Sequence, residues 1–187
     1  MADYSMPDVA RKGSRVIVST PYWSVEQDVA RGGAVTAIRF VNGSRKNILR
    51  APVTSYVSRM GDTLSFISAG TRPEGNEEDF LFSTSWEDRA EVTIDTTPGG
   101  APRVVSTGLL RNRRRETTGV SYRESCEYHA SFIRRTITLR FAETRRDIFA
   151  LGAAKAVLDR SLDEYACKHS AWQARYGGRL LGHLRYG

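Results

Sequence analysis

The chain has 187 residues, with 28 Lys and Arg against 21 Asp and Glu, 40% apolar and 26% charged residues. That is room for one domain with a sizeable core and an ordinary globular balance, which excludes wholesale disorder and leaves little space for two full domains. The net charge of +7 would suit a nucleic-acid or anionic partner but carries no information about fold.

Residues 1–13 are polar, include Pro7 and Gly13 and show no period, so they are expected to form a loose arm ahead of one domain over 14–187. RVIVST (15–20) and YWSVEQDVA (22–30) are β-branched and strand-like. Gly32-Gly33 can adopt the positive φ angles of a hairpin turn. AVTAIRFV (34–41) follows, alternation placing Val35 and Ala37 on one face and Ile38 and Phe40 on the other. Asn42-Gly43 is a strong hairpin signal. In NILRAPVTSYV (47–57), Pro52 argues for an edge strand or a bulge. The first third therefore reads as a meander of strand, turn, strand, turn, strand.

DTLSFIS (62–68) continues the meander, and a polar loop follows with Glu74, Glu77, Glu78 and Asp79. RAEVTIDT (89–96) sets Ala90, Val92 and Ile94 against Glu91, Thr93 and Asp95, the alternation of a half-buried strand. RVVSTGLL (103–110) is another strand, and RNRRRETTG (111–119) is a basic loop. VSYRESCEYH (120–129) and FIRRTITLRF (132–141) form a hairpin. In the latter, Ile133, Ile137, Leu139 and Phe141 share one parity, with Arg135 as the exception. In the tail, Leu151, Ala154, Leu158, Leu162 and Tyr165 recur every three or four residues and predict a C-terminal helix. The fold class is thus mainly β, an antiparallel β-sandwich with a helix at its end.

PYWSVEQDVARGGAVTAIRFVNGSRKNILRAP, with Gly32, Gly33, Ile38, the NGS turn (42–44), Asn47-Ile48-Leu49 and Pro52, resembles the opening of galactose-mutarotase-like β-supersandwich domains. These occur in aldose epimerases and in sandwich portions of glycoside hydrolases and polysaccharide lyases. YRESCEYHASFIRRTITLRF also resembles a hairpin of that family. The resemblance covers about the first two-thirds of the chain and implies a carbohydrate-binding or carbohydrate-processing domain. Such domains run well beyond this length, which implies a fragment or a shortened member. The family's catalytic His and carboxylate have no matching positions, so no catalytic residue is carried over.

Arg123, Ser125, Glu127 and His129 share one parity on one strand, and Arg134 lies across the next turn. Arg and a carboxylate in fixed geometry can hold sugar hydroxyls, and Glu127 with His129 could act as an acid/base pair once desolvated. The same pattern describes a polar sheet face that merely meets water. Trp23, Trp86 and Trp172 are candidate stacking platforms, Trp86 foremost because it lies between an acidic loop and a strand; tryptophans also serve as ordinary packing residues. The expected ligand site is therefore Arg123, Glu127, His129, Arg134 and Trp86, with a saccharide as partner.

No metal site is expected. Cys126 and Cys167 are the two cysteines and neither lies in a CxxC, and the acidic loop lacks the spacing of a calcium loop. No cofactor is expected either, since phosphate-loop and nucleophile motifs are missing. The basic run 111–116 lacks interleaved aromatics and a nucleic-acid-binding pattern around it, so a solvated hairpin tip is expected there. A basic nucleic-acid-binding β-domain and an interaction module without ligand are the alternative functions. With neither a signal-peptide core nor a long apolar run, a cytoplasmic, reducing environment is expected.

Overall fold

The computed structural model describes residues 6–41, 45–59, 81–143, 148–158, 175–176 and 179–180. The Asn42-Gly43 turn, the 62–68 strand, the acidic loop, Leu162, Tyr165, Cys167 and Trp172 lie outside the described residues. The protein is mainly β and antiparallel, and no α-helix occurs among the described residues. No helix there is long and apolar enough to cross a membrane.

The strands are β1 (Asp8–Lys12), β2 (Arg15–Ser19), β3 (Trp23–Asp28), β4 (Ala34–Phe40), β5 (Leu49–Arg59), β6 (Leu81–Ser83), β7 (Glu91–Asp95), β8 (Arg103–Arg111), β9 (Thr117–Tyr128), β10 (Ile133–Phe141) and β11 (Ile148–Leu158), with a separate short pair, β12 (Arg175–Tyr176) and β13 (Arg179–Leu180). Hydrogen bonding follows the order β1-β2-β3-β4-β5-β6-β8-β9-β10, with β7 beside β8 and β11 beside β5. Part of the stretch expected to be a loose arm is β1, paired with β2 from Asp8↔Ser19 to Lys12↔Arg15. A sheet edge offers unpaired N–H and C=O groups, and these recruit even a polar segment.

Alternation sets the core. Val16 and Val18 of β2, Trp23 and Val25 of β3, Val35 of β4 and Leu49 of β5 pack with Val104, Cys126 and Tyr128 of β8 and β9. Each fully buried valine contributes on the order of 1.5–3 kcal/mol. β2–β5 therefore face β8–β9 across a shared interior. Polar ends tie the two sides together: Trp23 Nε1 donates to Ala130 O at 3.1 Å, Tyr128 OH to Gln27 Oε1 at 2.6 Å, and Tyr122 OH to Gly32 O at 3.1 Å. A second cluster joins Val57, Phe82, Leu110, Val120 and Tyr122.

Two expectations change because of bulges. The β3–β4 register shifts between Glu26 and Gln27, pairing Glu26 with Ala37 but Gln27 with Val35. Thr36 is the extra residue, so Val35 and Ile38 both reach the core cluster rather than opposite faces. The predicted C-terminal helix is corrected likewise: residues 148–158 are β11, laid along β5. Its pairing shifts register four times, between Ile148/Ala150, Gly152/Lys155, Lys155/Val157 and Val157/Leu158. Repeated shifts break the period of two, so no strict alternation marks this strand in the sequence. Leu151 and Ala154, on the predicted helical stripe, are both exposed. Pro52 falls where the β11 pairing jumps from Thr54 to Ala51, in keeping with its lack of a donor.

The Gly32-Gly33 turn forms between β3 and β4, with φ angles of 67° and 72°. It is longer than a two-residue turn. Residues Val29–Arg31 make a 3-10 turn first, Asp28 accepts from Ala30 N as its cap, and Gly33 N closes onto Asp28 O at 2.9 Å.

Candidate functional site

β9 carries residues 118, 120, 122, 124, 126 and 128 inward, and its odd residues form the outer face. The ladder aligns that face with its neighbours. Arg103 and Arg134 both register with Glu127, and Asp95 registers with Arg103. One row across four strands therefore reads Asp95, Arg103, Glu127, Arg134, with charge alternating at every step. The next row is Thr93, Val105, Ser125, Thr136, and the third is Glu91, Thr107, Arg123, Thr138.

Glu127 is the centre of the first row. Its Oε1 lies 2.8 Å from His129 Nε2, and its Oε2 lies 3.8 Å from Arg103 Nη2 and 3.8 Å from Arg134 Nη1. The short contact requires a proton on Nε2 if the carboxylate is ionised. The two arginine contacts are ion pairs outside hydrogen-bond range, so Glu127 does not consume the guanidinium donors. His129 stacks on Phe132 at 4.2 Å between centroids and 16° between planes. Phe132 is 49% exposed. Carboxylate, imidazole, two guanidinium forks and an open aromatic face therefore adjoin. At the far end of the row, Thr97 holds the Asp95 carboxyl below its ordinary range by hydrogen bonding, and the Arg103 charge acts in the same direction.

The row does little for stability. Arg103 and Arg134 are about half exposed, and exposed ion pairs contribute about 0–1 kcal/mol. What the arrangement can do is offer acceptors and donors in a fixed lattice, with hydroxyls on the adjoining rows.

Of the expected site residues, Glu127, His129 and Arg134 come together. Arg123 shares their face but sits four residues along β9, roughly 13 Å away, beside a dimple of about 120 Å³ formed with Glu91, Thr93, Val105 and Thr107. Trp86 does not join them. It ends a 3-10 turn, Thr84–Trp86, near the Arg111 end of β8, whereas Glu127 registers with Arg103 at the other end. Trp23 is a core residue, its ring 6.1 Å from that of Tyr128. Sequence reasoning missed Arg103, Asp95 and Phe132 as members of the group. Parity could have placed Asp95 and Arg103 on polar faces, but their alignment with Glu127 depends on register.

The basic loop forms the β8–β9 hairpin tip at 112–116, whereas Arg111 ends β8 and Thr117–Gly119, expected in the loop, open β9; nor is all of it merely solvated. Arg111 Nε donates to the buried Glu87 at 2.9 Å, and Arg115 donates to the Trp86 carbonyl. Asn112, fully buried, fixes the tip by accepting from Glu116 N at 2.9 Å. No protein-family model matches the chain, and no curated protein matches it significantly.

Proposed function

We propose that the outer face of β8–β10 around Glu127 recognises a saccharide, in a domain similar to the galactose-mutarotase-like ones. The observation that carries this reading is the company Glu127 keeps: His129 at 2.8 Å, arginines at 3.8 Å on both sides, and the exposed Phe132 ring stacked on His129. Sugars present hydroxyls that both donate and accept, together with apolar C–H faces. A carboxylate accepts from the hydroxyls, a guanidinium donates to them, and an aromatic ring covers the C–H face. A phosphate backbone fits less well, because Asp95 and Glu127 alternate with the arginines, Glu91 lies on the same face, and these carboxylates would repel it.

The test is calorimetric titration of neutral and acidic glycans against wild type and the Glu127→Ala, His129→Ala and Phe132→Ala variants. Loss of a polar partner held against ligand is expected to cost about 1–3 kcal/mol of binding, or roughly five- to a hundredfold in affinity. No binding by wild type, or binding that all three variants leave untouched, would remove the site. Nucleic-acid binding that falls steeply with salt would put the basic-domain reading in its place.

A further inference from the structure

A second polar recess lies away from that face. It has a volume of about 370 Å³ and is lined by Asp28, Arg31, Pro52, Ser85, Trp86 and Arg115, which is the size of a small-ligand pocket. Its walls are the two 3-10 turns, Val29–Arg31 and Thr84–Trp86, and the β8–β9 hairpin tip. The turns meet through Gly32, where an added Cβ would stand 2.1 Å from Thr84 O. Each turn is capped by its own side chain, Asp28 to Ala30 N and Ser83 to Ser85 N, so the walls are locally determined.

Two cations face one carboxylate in the lining. Arg31 pairs with Asp28 at 3.8 Å, and Arg115 pairs with Asp88 at 3.8 Å while donating to the Trp86 carbonyl. Both arginine side chains remain more than half exposed, at 57% and 51%. A guanidinium has five donors, and these contacts engage only some of them. Within the lining Arg31 and Arg115 outnumber Asp28 by one charge, with Asp88 outside it at 3.8 Å from Arg115, and that balance favours an anion. Arg115 also holds φ 68°, a left-handed conformation that L-residues other than Gly, Asn and Asp seldom adopt, and one that tends to persist at functional positions. Its side chain crosses from the hairpin tip to the Trp86 carbonyl of the other wall.

We propose that this recess binds a ring-bearing carboxylate: the anion on Arg31 and Arg115, the flat face of the ring against Trp86. Arginine forks match a carboxylate in two parallel hydrogen bonds, and an indole covers an apolar ring face. The proposal is independent of the Glu127 site.

Calorimetric titration with glucuronate, benzoate, glucose and inorganic phosphate tests it. Glucuronate or benzoate is expected to bind the recess, and glucose not to compete with either there; the tighter of the two acids tells whether a sugar or an aromatic acid is the source. Arg31→Gln and Arg115→Gln should each weaken binding by about tenfold or more, the loss of a charge-assisted hydrogen bond. Trp86→Leu should weaken the ring acids while leaving phosphate unchanged. Arg31→Gln removes no contact between the walls and so serves where Arg115→Gln disturbs the tip. Glu127→Ala should leave this binding intact. Failure of both acids to bind, binding indifferent to both arginines, binding abolished by Glu127→Ala, or phosphate binding as well as the acids with no effect of Trp86→Leu would each overturn the proposal.

Discussion

Arg135 donates from Nε and Nη2 to the two carboxylate oxygens of Glu124, at 2.8 and 2.6 Å, on the inner face of the sheet. Glu124 is 2% exposed and Arg135 15%. Arg135 reaches Ser55 Oγ as well, at 2.7 Å, so the pair links β9 and β10 to β5. The parity exception in β10 is thus the partner of an inward-facing carboxylate. Breaking such a pair leaves an uncompensated buried charge, whereas replacing both members by apolar residues need not destabilise. Arg135→Met alone should lower stability by about 3–5 kcal/mol. The Glu124→Leu, Arg135→Met double variant should recover most of that loss. Urea denaturation of the four proteins of the cycle measures both.

Gly32 and Gly13 both have positive φ, 67° and 60°. Beside Gly13 there is open space, whereas a Cβ on Gly32 would meet Thr84 O at 2.1 Å and Tyr122 OH at 2.8 Å. Gly13→Ala should therefore cost only the left-handed backbone term, about 1–2 kcal/mol. Gly32→Ala should cost about 3 kcal/mol or more, because the rigid Thr84 backbone must move too. Thermal or urea unfolding of the two variants compares them directly, and equal losses would mean that the turns are not docked.

Alkaline pH should destabilise the fold. Burial, reinforced by the charge of Glu124, pushes the Cys126 thiol from 9.0 up to about 12. Burial likewise raises Tyr122 and Tyr128, with Glu124 adding to both. These groups stay protonated in the folded state and ionise in the unfolded one, so the unfolded state binds fewer protons at high pH. Their contribution is complete below about pH 9 and declines as pH rises toward the folded values. For Cys126 alone the loss is on the order of 4 kcal/mol. Unfolding midpoints from pH 7 to 11 should fall above pH 9. Ultraviolet titration should show Tyr122 and Tyr128 ionising only as the protein unfolds; early ionisation would contradict their burial.

Asn112→Ala should cost about 1–3 kcal/mol. Asn112 accepts from Glu116 N at 2.9 Å and donates to Glu116 Oε2 at 2.7 Å while fully buried. Because the tip joins β8 to β9, the variant should also speed amide hydrogen exchange at 112–117 before it affects β2–β4. Uniform exchange across the protein would instead indicate that the tip opens only with the whole fold.

Local chemistry was legible in the sequence. The positive φ of Gly32 and Gly33, the alternation of 91–95 and 120–128, and the shared face of Arg123, Glu127 and His129 follow from sterics and pleat within a few residues. Tertiary structure alone decided the rest. Arg103 meets Glu127 because the five-residue tip and the β8–β9 register bring them opposite each other. Glu124 is buried because Arg135 arrives from the next strand, and 148–158 is extended because β5 offers it an edge to pair with. Bulges at Thr36 and along β11 shift parity without a marker in the residues themselves. Each of these outcomes depends on hydrogen-bonding and packing partners distant in the chain, and no local preference specifies them.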